Sequence, residues 1–396
     1  MTHALAASAI GFDPYDFART HLSAAALAVL DRLRVTLERD VQPLMAEAWE
    51  TATMPANVLE ILVALDLMRP DGLSVEEADS SLFAGFRTYV LARTDVSVAT
   101  LYNAQAGLFR TAVRLGGTPQ QVAELDAQVR SFALRGTFAL TEPGHGSDIA
   151  RGLATTARRD GDTWVIDGAK RWIGGAATAH VLVVFARDVA DGQVKAFLVP
   201  REAPGVTLQN IDGKIALRPV PNAVIHLAGV RVAEQARLPR VNGWRDVASL
   251  LGVMRSDVAW IATGLQAGAL EAARRYVGDR HQFGRPVAGF QLVQERLARM
   301  LGNLTASLGL VVQLSAQQDR GEYVDAHSAL AKMQTARLAR ETVALAREVA
   351  GGNGLLLEHD IARFFADAEA VYSYEGTHDI NALIVGRALT GISAFV

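Results

Sequence analysis

The sequence predicts a mainly α-helical protein with a central β domain. Apolar residues recur at helical spacing from about residue 20 to 135, and again after Asn242. Between about residues 136 and 240 the pattern changes to short runs of β-branched and aromatic residues, separated by Gly, Pro and Asp. The first pattern is typical of amphipathic helices and the second of strands joined by turns. We therefore expect an N-terminal helical domain at 1–135, a middle β domain at 136–240 and a C-terminal helical domain at 241–396.

The N-terminal domain is predicted to be helical throughout. Residues 22–41 carry a continuous helical pattern, and a second begins at residue 57, shortly after Pro55. A further helical stretch starts near residue 86 and ends at the sequence Gly-Gly-Thr-Pro, which begins at Gly116. Glycine and proline commonly mark the ends of helices, so this cluster sets the end of the stretch.

The middle and C-terminal domains differ in the period of their patterns. Four β-rich runs at hairpin-like intervals predict a β-barrel or sandwich; they occupy residues 163–167, 180–186, 195–200 and 223–232. The C-terminal domain instead has one apolar stripe of about five helical turns, formed by Val293, Leu297, Met300, Leu304, Leu308 and Val311. A stripe of this length predicts a four-helix bundle.

Composition restricts the classes of function. The 396 residues include 39 Lys and Arg against 42 Asp and Glu, for a net charge of -3. Nucleic acids and anionic membranes attract proteins with a basic excess, so neither is expected as a partner. There is no cysteine, and therefore no disulfide or thiolate metal site. No secretory signal or long apolar run is evident, so we expect a cytoplasmic protein without membrane insertion.

Common catalytic signatures are missing from the sequence. It contains no G-x-G-x-x-G, Walker loop, G-x-S-x-G or H-E-x-x-H motif. The usual dinucleotide fold, phosphate loop, hydrolase elbow and zinc helix are therefore unsupported. The nine histidines do not cluster at ligand spacing, and we expect no metal site.

Two segments near the middle domain admit both a functional and a structural interpretation. Residues 141–148, TEPGHGSD, form a Gly-rich loop whose backbone N–H groups could approach a polar ligand, or simply a turn between two domains. Residues 169–178, AKRWIGGAAT, place Trp172 and Ile173 before two glycines. They could form a wall for a flat ring system, or pack in the core beside a bulge.

Three later segments are equally ambiguous when taken singly. Residues 279–286, DRHQFGRP, carry arginines that could bind phosphate or remain solvated. Residues 350–354, AGGNG, are explained by a glycine cap at a helix end. Glu375, within SYEGTHDIN, could be a functional carboxylate or an acid near a helix start with Thr377 as the N-cap.

The order and spacing of these motifs decide between the alternatives. TEPGHGSD, KRWI, DRHQFGRP followed by FQLVQERLARM, AGGNG and YEGTHDI occur in one sequence over more than 200 residues. Together with the α, β, α order, this set resembles the acyl-CoA dehydrogenase family. The C-terminal sequence YEGTHDINALIVGRALTGISAF is most similar to the glutaryl-CoA dehydrogenases and the short-chain acyl-CoA oxidases of peroxisomes.

The resemblance implies a reaction and a base. The family oxidises an acyl thioester to its trans-2-enoyl form, with removal of the α proton by a base and transfer of a hydride from the β carbon to N5 of FAD. Glu375 stands where the family keeps the base, and burial would raise its pKa toward the working pH. The resemblance also places the backbone N–H of Glu375 at the thioester oxygen, where one such donor stabilises negative charge by about 3 kcal/mol.

The resemblance further implies binding residues and an oligomer. The Arg280 segment and the Gly351 pair would reach the FAD of a neighbouring subunit, which implies a homo-oligomer, usually a dimer of dimers. The expected FAD contacts are Leu140, Thr141, Gly146, Ser147, Trp172, Ile173, Arg280, Gln282, Phe283, Gly351, Gly352, Thr377 and Asp379. The expected substrate contacts are Arg255, Ser147, Tyr374, Gly376 and Ala99.

Departures from the family pattern restrict the substrate and leave the acceptor open. Ala99 and Ala92 replace the arginine and glutamate of the glutaryl-CoA subgroup, so we expect a short or medium acyl chain without a distal carboxylate. Gly174 replaces the usual threonine near flavin N5, which would alter the flavin potential or its reaction with oxygen. The electron acceptor could be an electron-transfer flavoprotein, or oxygen as in an acyl-CoA oxidase. The thioester could be carried by CoA or by an acyl-carrier protein.

Overall fold

A computed structural model describes residues 8–395 of the chain. The helices are α1 Phe17–His21, α2 Ala24–Asp40, α3 Met45–Thr51, α4 Ala56–Ala64, α5 Val75–Ala78, α6 Ser81–Thr94, α7 Val96–Asn103, α8 Arg110–Gly116, α9 Pro119–Arg130, α10 Ile149–Gly152, α11 Trp244–Asp279, α12 Gln291–Asp319, α13 Asp325–Ala350, α14 Ile361–Ser373 and α15 His378–Thr390. The strands are β1 Gly136–Ala139, β2 Thr156–Asp160, β3 Thr163–Gly174, β4 Val181–Asp188, β5 Val194–Pro200, β6 Val206–Asn210, β7 Asn222–Ala233, β8 His281–Gln282 and β9 Arg285–Pro286. The predicted mainly helical chain with a central β segment is confirmed.

Internal contacts divide the described residues into two units. Unit 1 comprises residues up to 100, residues 215–219 and the chain from residue 255 onward. Unit 2 comprises residues 101–214 and 220–254. This division has two parts, and it falls within α7 and α11. The boundaries of the three domains inferred from the sequence therefore stay predictions.

Unit 1 is a helical body in which small residues allow close contact between helices. A Cβ added at Gly85 of α6 would lie 2.2 Å from the ring of Trp260 on α11, and one added at Gly268 of α11 would lie 2.3 Å from the carbonyl oxygen of Arg93. Trp260 donates to Ser315 of α12 at 2.9 Å. The buried stripe of α12 includes Met300, Leu304, Leu308 and Val311, as the periodicity predicts.

Helix α12 is the one described helix that is long and apolar enough to cross a bilayer. The sequence analysis expected no such run, so by length and composition that expectation was wrong. A single helix of this kind is weak evidence for a membrane span, because the core helix of a protein outside membranes meets the same criteria. The contacts of α12 with α6 and α13 account for its apolar stripe.

Unit 2 contains a seven-stranded sheet with strand order β1-β4-β2-β3-β7-β6, and β5 pairs with the other edge of β4. Strand β4 pairs in parallel with β1 and β2, while the remaining pairs are antiparallel. Strand β3 shifts register against β7 between Lys170 and Ile173, which is the position of a β-bulge. Apolar side chains on both faces of the sheet are buried, so each face has its own core.

Candidate active site

Glu375 lies in the short connection between α14 and α15, where the backbone adopts an unusual conformation. Its φ of 52° and the φ of 81° at Gly376 both fall in the left-handed region. For a glutamate this conformation costs about 1–3 kcal/mol and persists only where the surroundings enforce it. The amide of Tyr374 donates to Ala370 at 3.0 Å and closes α14. The hydroxyl of Thr377 accepts from the amide of Ile380 at 3.2 Å and begins α15.

The Glu375 side chain is half-buried and is not fully paired. Within residues 8–395, its Oε2 atom is shielded from solvent and has no hydrogen-bond partner, and its backbone N–H makes no hydrogen bond either. Burial raises the pKa of the carboxyl group, although the positive charges of Arg255 and Lys332 oppose that rise. One residue thus offers a proton acceptor and an unused N–H donor, as a ligand site requires.

Two basic side chains from other helices, Arg255 and Lys332, act electrostatically on this carboxylate. Arg255 of α11 is buried and its Nη1 lies 2.6 Å from Asp325 Oδ1. Lys332 of α13 is fully buried, and its ammonium donates to the carbonyl oxygens of Tyr372 at 3.0 Å and Gly376 at 2.8 Å. Burial lowers the pKa of Lys332 to about 7. Arg255 is among the residues expected from the sequence, whereas Lys332 is not.

A second acid lies within the electrostatic range of Glu375. Burial raises the pKa of Asp257 on α11 to about 7; the charge of Arg87 opposes this rise and that of Glu375 adds to it. The sequence analysis missed Asp257 too. For Lys332 a signal was present, because it occupies a helical stripe with Ser328 and Thr335 whose members are all buried. A lysine in such a stripe indicates a specific partner.

Four further predicted residues of unit 1 are Tyr374, Ala99, Gly376 and Asp379. Burial raises the pKa of the Tyr374 hydroxyl, and Ala99 is buried in α7. A Cβ added at Gly376 would lie 3.0 Å from Asn381 Nδ2, which donates to the Gly376 carbonyl at 2.9 Å. Asp379 is exposed in the first turn of α15. Glycine at 376 therefore suits both the positive φ and the close approach.

The Gly-rich loop of unit 2 is held in place by Glu142, whereas the space around Gly146 is free of other atoms. Glu142 accepts from the amides of Ala154 at 2.7 Å and Thr155 at 2.9 Å, and from Lys170 at 2.8 Å. A Cβ at Gly146 would meet nothing within 4 Å, and the neighbouring Ser147 is exposed. The open part of the loop leaves room for a ligand.

Other predicted residues of unit 2 lie just after β1, at the start of the loop and on β3. Leu140 is buried and its carbonyl accepts from Lys170 at 3.1 Å. The Thr141 carbonyl accepts from the amide of Arg171 at 2.8 Å. Trp172 occupies the β-bulge with a φ of 64°, and 52% of its surface is exposed. Ile173, in contrast, is buried in the core of the sheet.

The third group of predicted residues forms a groove in unit 1. Arg280, Gln282, Phe283 and Gly351 line this groove together with residues of α11 and α13, and it encloses about 290 Å³. Phe283 stands at the tip of the β8–β9 hairpin and is 93% exposed. Gly351 has a φ of 59°, and a Cβ added at Gly351 or Gly352 would meet no atom within 4 Å. Open glycines beside an exposed ring and an arginine fit a nucleotide cofactor.

Comparison with known proteins identifies the class. The sequence model of the acyl-CoA dehydrogenase middle domain matches residues 137–230, and that of the C-terminal domain matches residues 241–390. Together the two matches cover more than half of the chain. The chain therefore belongs to the acyl-CoA dehydrogenase family.

Individual relatives agree with this assignment. A 3-(aryl)acrylate reductase of Clostridium sporogenes is 30% identical over 89% of this chain and 95% of its own length. The mitochondrial short-chain specific acyl-CoA dehydrogenase of Bos taurus is 30% identical over 89% of this chain and 87% of its own. A glutaryl-CoA dehydrogenase of Mycobacterium smegmatis, solved in complex with FADH2, has a TM-score of 0.90 at 28% identity and covers 99% of this chain and 100% of its own.

These findings confirm the predictions made at the level of the family. The acyl-CoA dehydrogenase fold, the enzyme class and the cofactor FAD are confirmed. The roles of individual residues, the oligomer and the cytoplasmic location stay predictions.

Proposed function

We propose that the protein oxidises a short or medium acyl thioester to its trans-2-enoyl form, with Glu375 as the base that removes the α proton. One observation carries this proposal: Glu375 combines a buried, unpaired Oε2 with an unused backbone N–H. The carboxylate can take a proton, and the N–H can hold the thioester oxygen as negative charge develops there. FAD, when bound, supplies the acceptor for the hydride that leaves the β carbon.

The electrostatic surroundings of Glu375 support its role as a base. A carboxyl group with an ordinary pKa is a weak base, and burial raises the pKa of this one. Arg255 and Lys332 oppose the rise, so the carboxylate form remains accessible. Arg255 also matches the family position that faces the CoA part of the substrate, and CoA is the carrier we propose.

Two side chains support a substrate without a distal carboxylate. Ala99 offers no cation in place of the arginine of the glutaryl-CoA subgroup. Asp257 places a second acid in the electrostatic range of Glu375. A substrate carboxylate would be repelled by these two acids, and position 99 would offer it no counter-ion. A plain or branched acyl chain avoids both penalties.

The assembly and the acceptor are also proposals. The groove of Arg280, Gln282 and Phe283 supports a homo-oligomer, as a dimer of dimers, in which this groove contributes to the FAD site of a neighbouring subunit. We propose an electron-transfer flavoprotein as the physiological acceptor, as the family resemblance implies.

The test is an anaerobic titration of the purified flavoprotein with butyryl-, isobutyryl-, octanoyl- and glutaryl-CoA. We expect the flavin absorbance to bleach with one or more of the first three thioesters, and little with glutaryl-CoA. Glu375→Gln should keep its FAD and lose bleaching by about 10²–10⁴-fold in rate, as for loss of a general base. Glu369→Gln, an exposed acid of α14 paired with Arg340, is the matched control.

Two results would contradict the proposal. Absence of bleaching with every thioester would exclude the reaction, and full activity of Glu375→Gln would place the base elsewhere.

A further inference from the structure

Lys332 is fully buried in unit 1, where the ammonium group of a lysine requires hydrogen-bond partners. It lies on α13 with no exposed surface, in a stripe of small and uncharged residues that includes Ser328, Thr335 and Ala339. Full burial of a lysine is rare unless its ammonium is paired. The described hydrogen bonds of this ammonium are to the carbonyl oxygens of Tyr372 and Gly376.

Those two carbonyls lie on opposite sides of Glu375. Tyr372 belongs to the last turn of α14, where carbonyl groups lack partners within the helix. Gly376 directly follows the base. The two bonds, 3.0 and 2.8 Å long, therefore bridge the left-handed segment. Asn381 supports the same carbonyl of Gly376 from α15 at 2.9 Å.

We infer that Lys332 is a positioning residue for the base: its ammonium clamps the carbonyl oxygens of Tyr372 and Gly376 and so fixes the left-handed backbone that orients the carboxylate and the N–H of Glu375. The inference rests on the proposed role of Glu375. A left-handed glutamate persists only when neighbouring groups enforce it, and this clamp reaches the loop from a helix 44 residues away in sequence.

The clamp also carries a charge that acts on the base. Arg255 of α11 and Lys332 of α13 act electrostatically on Glu375, and Glu375 in turn acts on Asp257 of α11 and on the adjacent Tyr374. The cations lower the pKa of Glu375 and so favour its carboxylate form. Replacing Lys332 by a neutral side chain should raise that pKa, so a higher pH would be needed before the base can work.

The experiment compares Lys332→Met with Lys332→Arg, which keeps the charge, and with Thr335→Val. Thr335 is a matched control because it is buried one turn further along α13 and its hydroxyl bonds within that helix. Each holoenzyme is measured in two ways: by hydrogen exchange of the amides of residues 372–378, and by the pH profile of kcat and KM.

For Lys332→Met we expect exchange in this loop to rise about tenfold or more, kcat to fall about 10–100-fold with KM little changed, and the acid limb of the kcat profile to move up by about one pH unit. Lys332→Arg should keep the acid limb near its original pH. Thr335→Val should leave both the loop exchange and the limb unchanged.

Unchanged exchange in the loop, or an unchanged acid limb, in Lys332→Met would overturn the inference. If Lys332→Met does not fold, Lys332→Gln, which retains a donor and loses the charge, is judged by the acid limb of the kcat profile, and an unchanged limb in that variant overturns the inference. If the original enzyme bleaches with no thioester, the proposed function fails, whereas the exchange measurement still decides whether Lys332 holds the loop.

Discussion

Glu142 Oε1 lies 2.8 Å from Lys170 Nζ in the interior of unit 2, where both side chains are almost completely buried. Glu142 is further satisfied by two backbone amides, and Lys170 by the carbonyl of Leu140. The coulombic attraction and hydrogen bonds of this pair lower the pKa of Glu142 against the effect of burial. The pair ties the Gly-rich loop to strand β3, close in sequence to the exposed Trp172. Its role is to fix the loop rather than to contact a ligand.

Breaking this pair should strongly destabilise the protein. Removing one partner of a buried ion pair leaves the other charge uncompensated, which lowers the free energy of unfolding by about 3–5 kcal/mol. We expect a loss of this size for Glu142→Gln in urea denaturation. Asp160→Asn is the control, because it breaks an exposed pair with Arg231 in the same sheet and should change stability by about 1 kcal/mol or less. Equal losses in the two variants would contradict this account.

Removing the base should stabilise the protein at neutral pH. The pKa of Glu375 is raised on folding, so its contribution to stability is fully present below the unfolded pKa and is lost as pH rises through the folded pKa. Glu375→Gln removes this loss, and we expect its free energy of unfolding to exceed that of the original protein by about 0.5–2 kcal/mol.

The difference should grow as pH rises from about 4.5 through the raised pKa of the carboxyl group. Thermal denaturation of the two holoenzymes across this range measures it. A difference that is constant with pH, or that has the opposite sign, would show that burial does not perturb Glu375.

Arg280 should be needed for retention of FAD. Arg280 lines the groove with Gln282 and Phe283, and arginine binds phosphate oxygens with two parallel hydrogen bonds. Arg280→Gln should therefore be purified with several-fold less FAD per chain and recover it on addition of excess FAD. Arg337→Gln is the comparison, since it alters an exposed arginine of α13. A full complement of FAD in Arg280→Gln, after dilution and gel filtration, would rule out this role.

Gly174→Thr should be tolerated by the fold and should change the reaction of the reduced flavin with oxygen. The nearest atom to a Cβ at this position is Asn222 Nδ2 at 3.6 Å, so a threonine has room. Gly175 has a φ of 75°, and Gly175→Thr should lower the free energy of unfolding by about 1–3 kcal/mol because of backbone strain.

The threonine would restore the residue that the family resemblance implies near flavin N5. We expect peroxide release in air, measured per thioester oxidised, to fall several-fold in Gly174→Thr. An identical peroxide yield in both proteins would mean that the glycine does not affect the acceptor. Rapid peroxide release by the original protein, without an added acceptor, would instead favour an acyl-CoA oxidase.

Much of the architecture could be predicted from the sequence because the signals are local. The stripe from Val293 to Val311 repeats at the helical period, and its members from Met300 onward are buried on one face of α12, whereas Val293 and Leu297 are half-buried. Thr377 was one candidate N-cap because it precedes a helical pattern, and it caps α15. The ordered motifs likewise predicted the family, since each motif is a short stretch of chain that can be recognised without knowledge of its neighbours.

Local signals were insufficient to predict the exposure of a side chain that depends on distant parts of the chain. Trp172 and Ile173 are adjacent and were given the same expected role, yet the bulge in β3 leaves the tryptophan half exposed and the isoleucine buried. Side chains of adjacent residues in a strand point to opposite faces of the sheet, and a bulge changes this alternation locally. The two residues therefore face different surroundings.

The sequence by itself determined the class of protein, the order of its helical and β segments, and Glu375 as the candidate base. Only the tertiary structure decided that this glutamate has a shielded, unpaired Oε2 atom, and that Lys332 contacts the backbone on both sides of it. The physical reason is that periodicity and capping act over a few residues. Burial and charge, which set the pKa of a carboxyl group, depend on whichever helices the fold brings together.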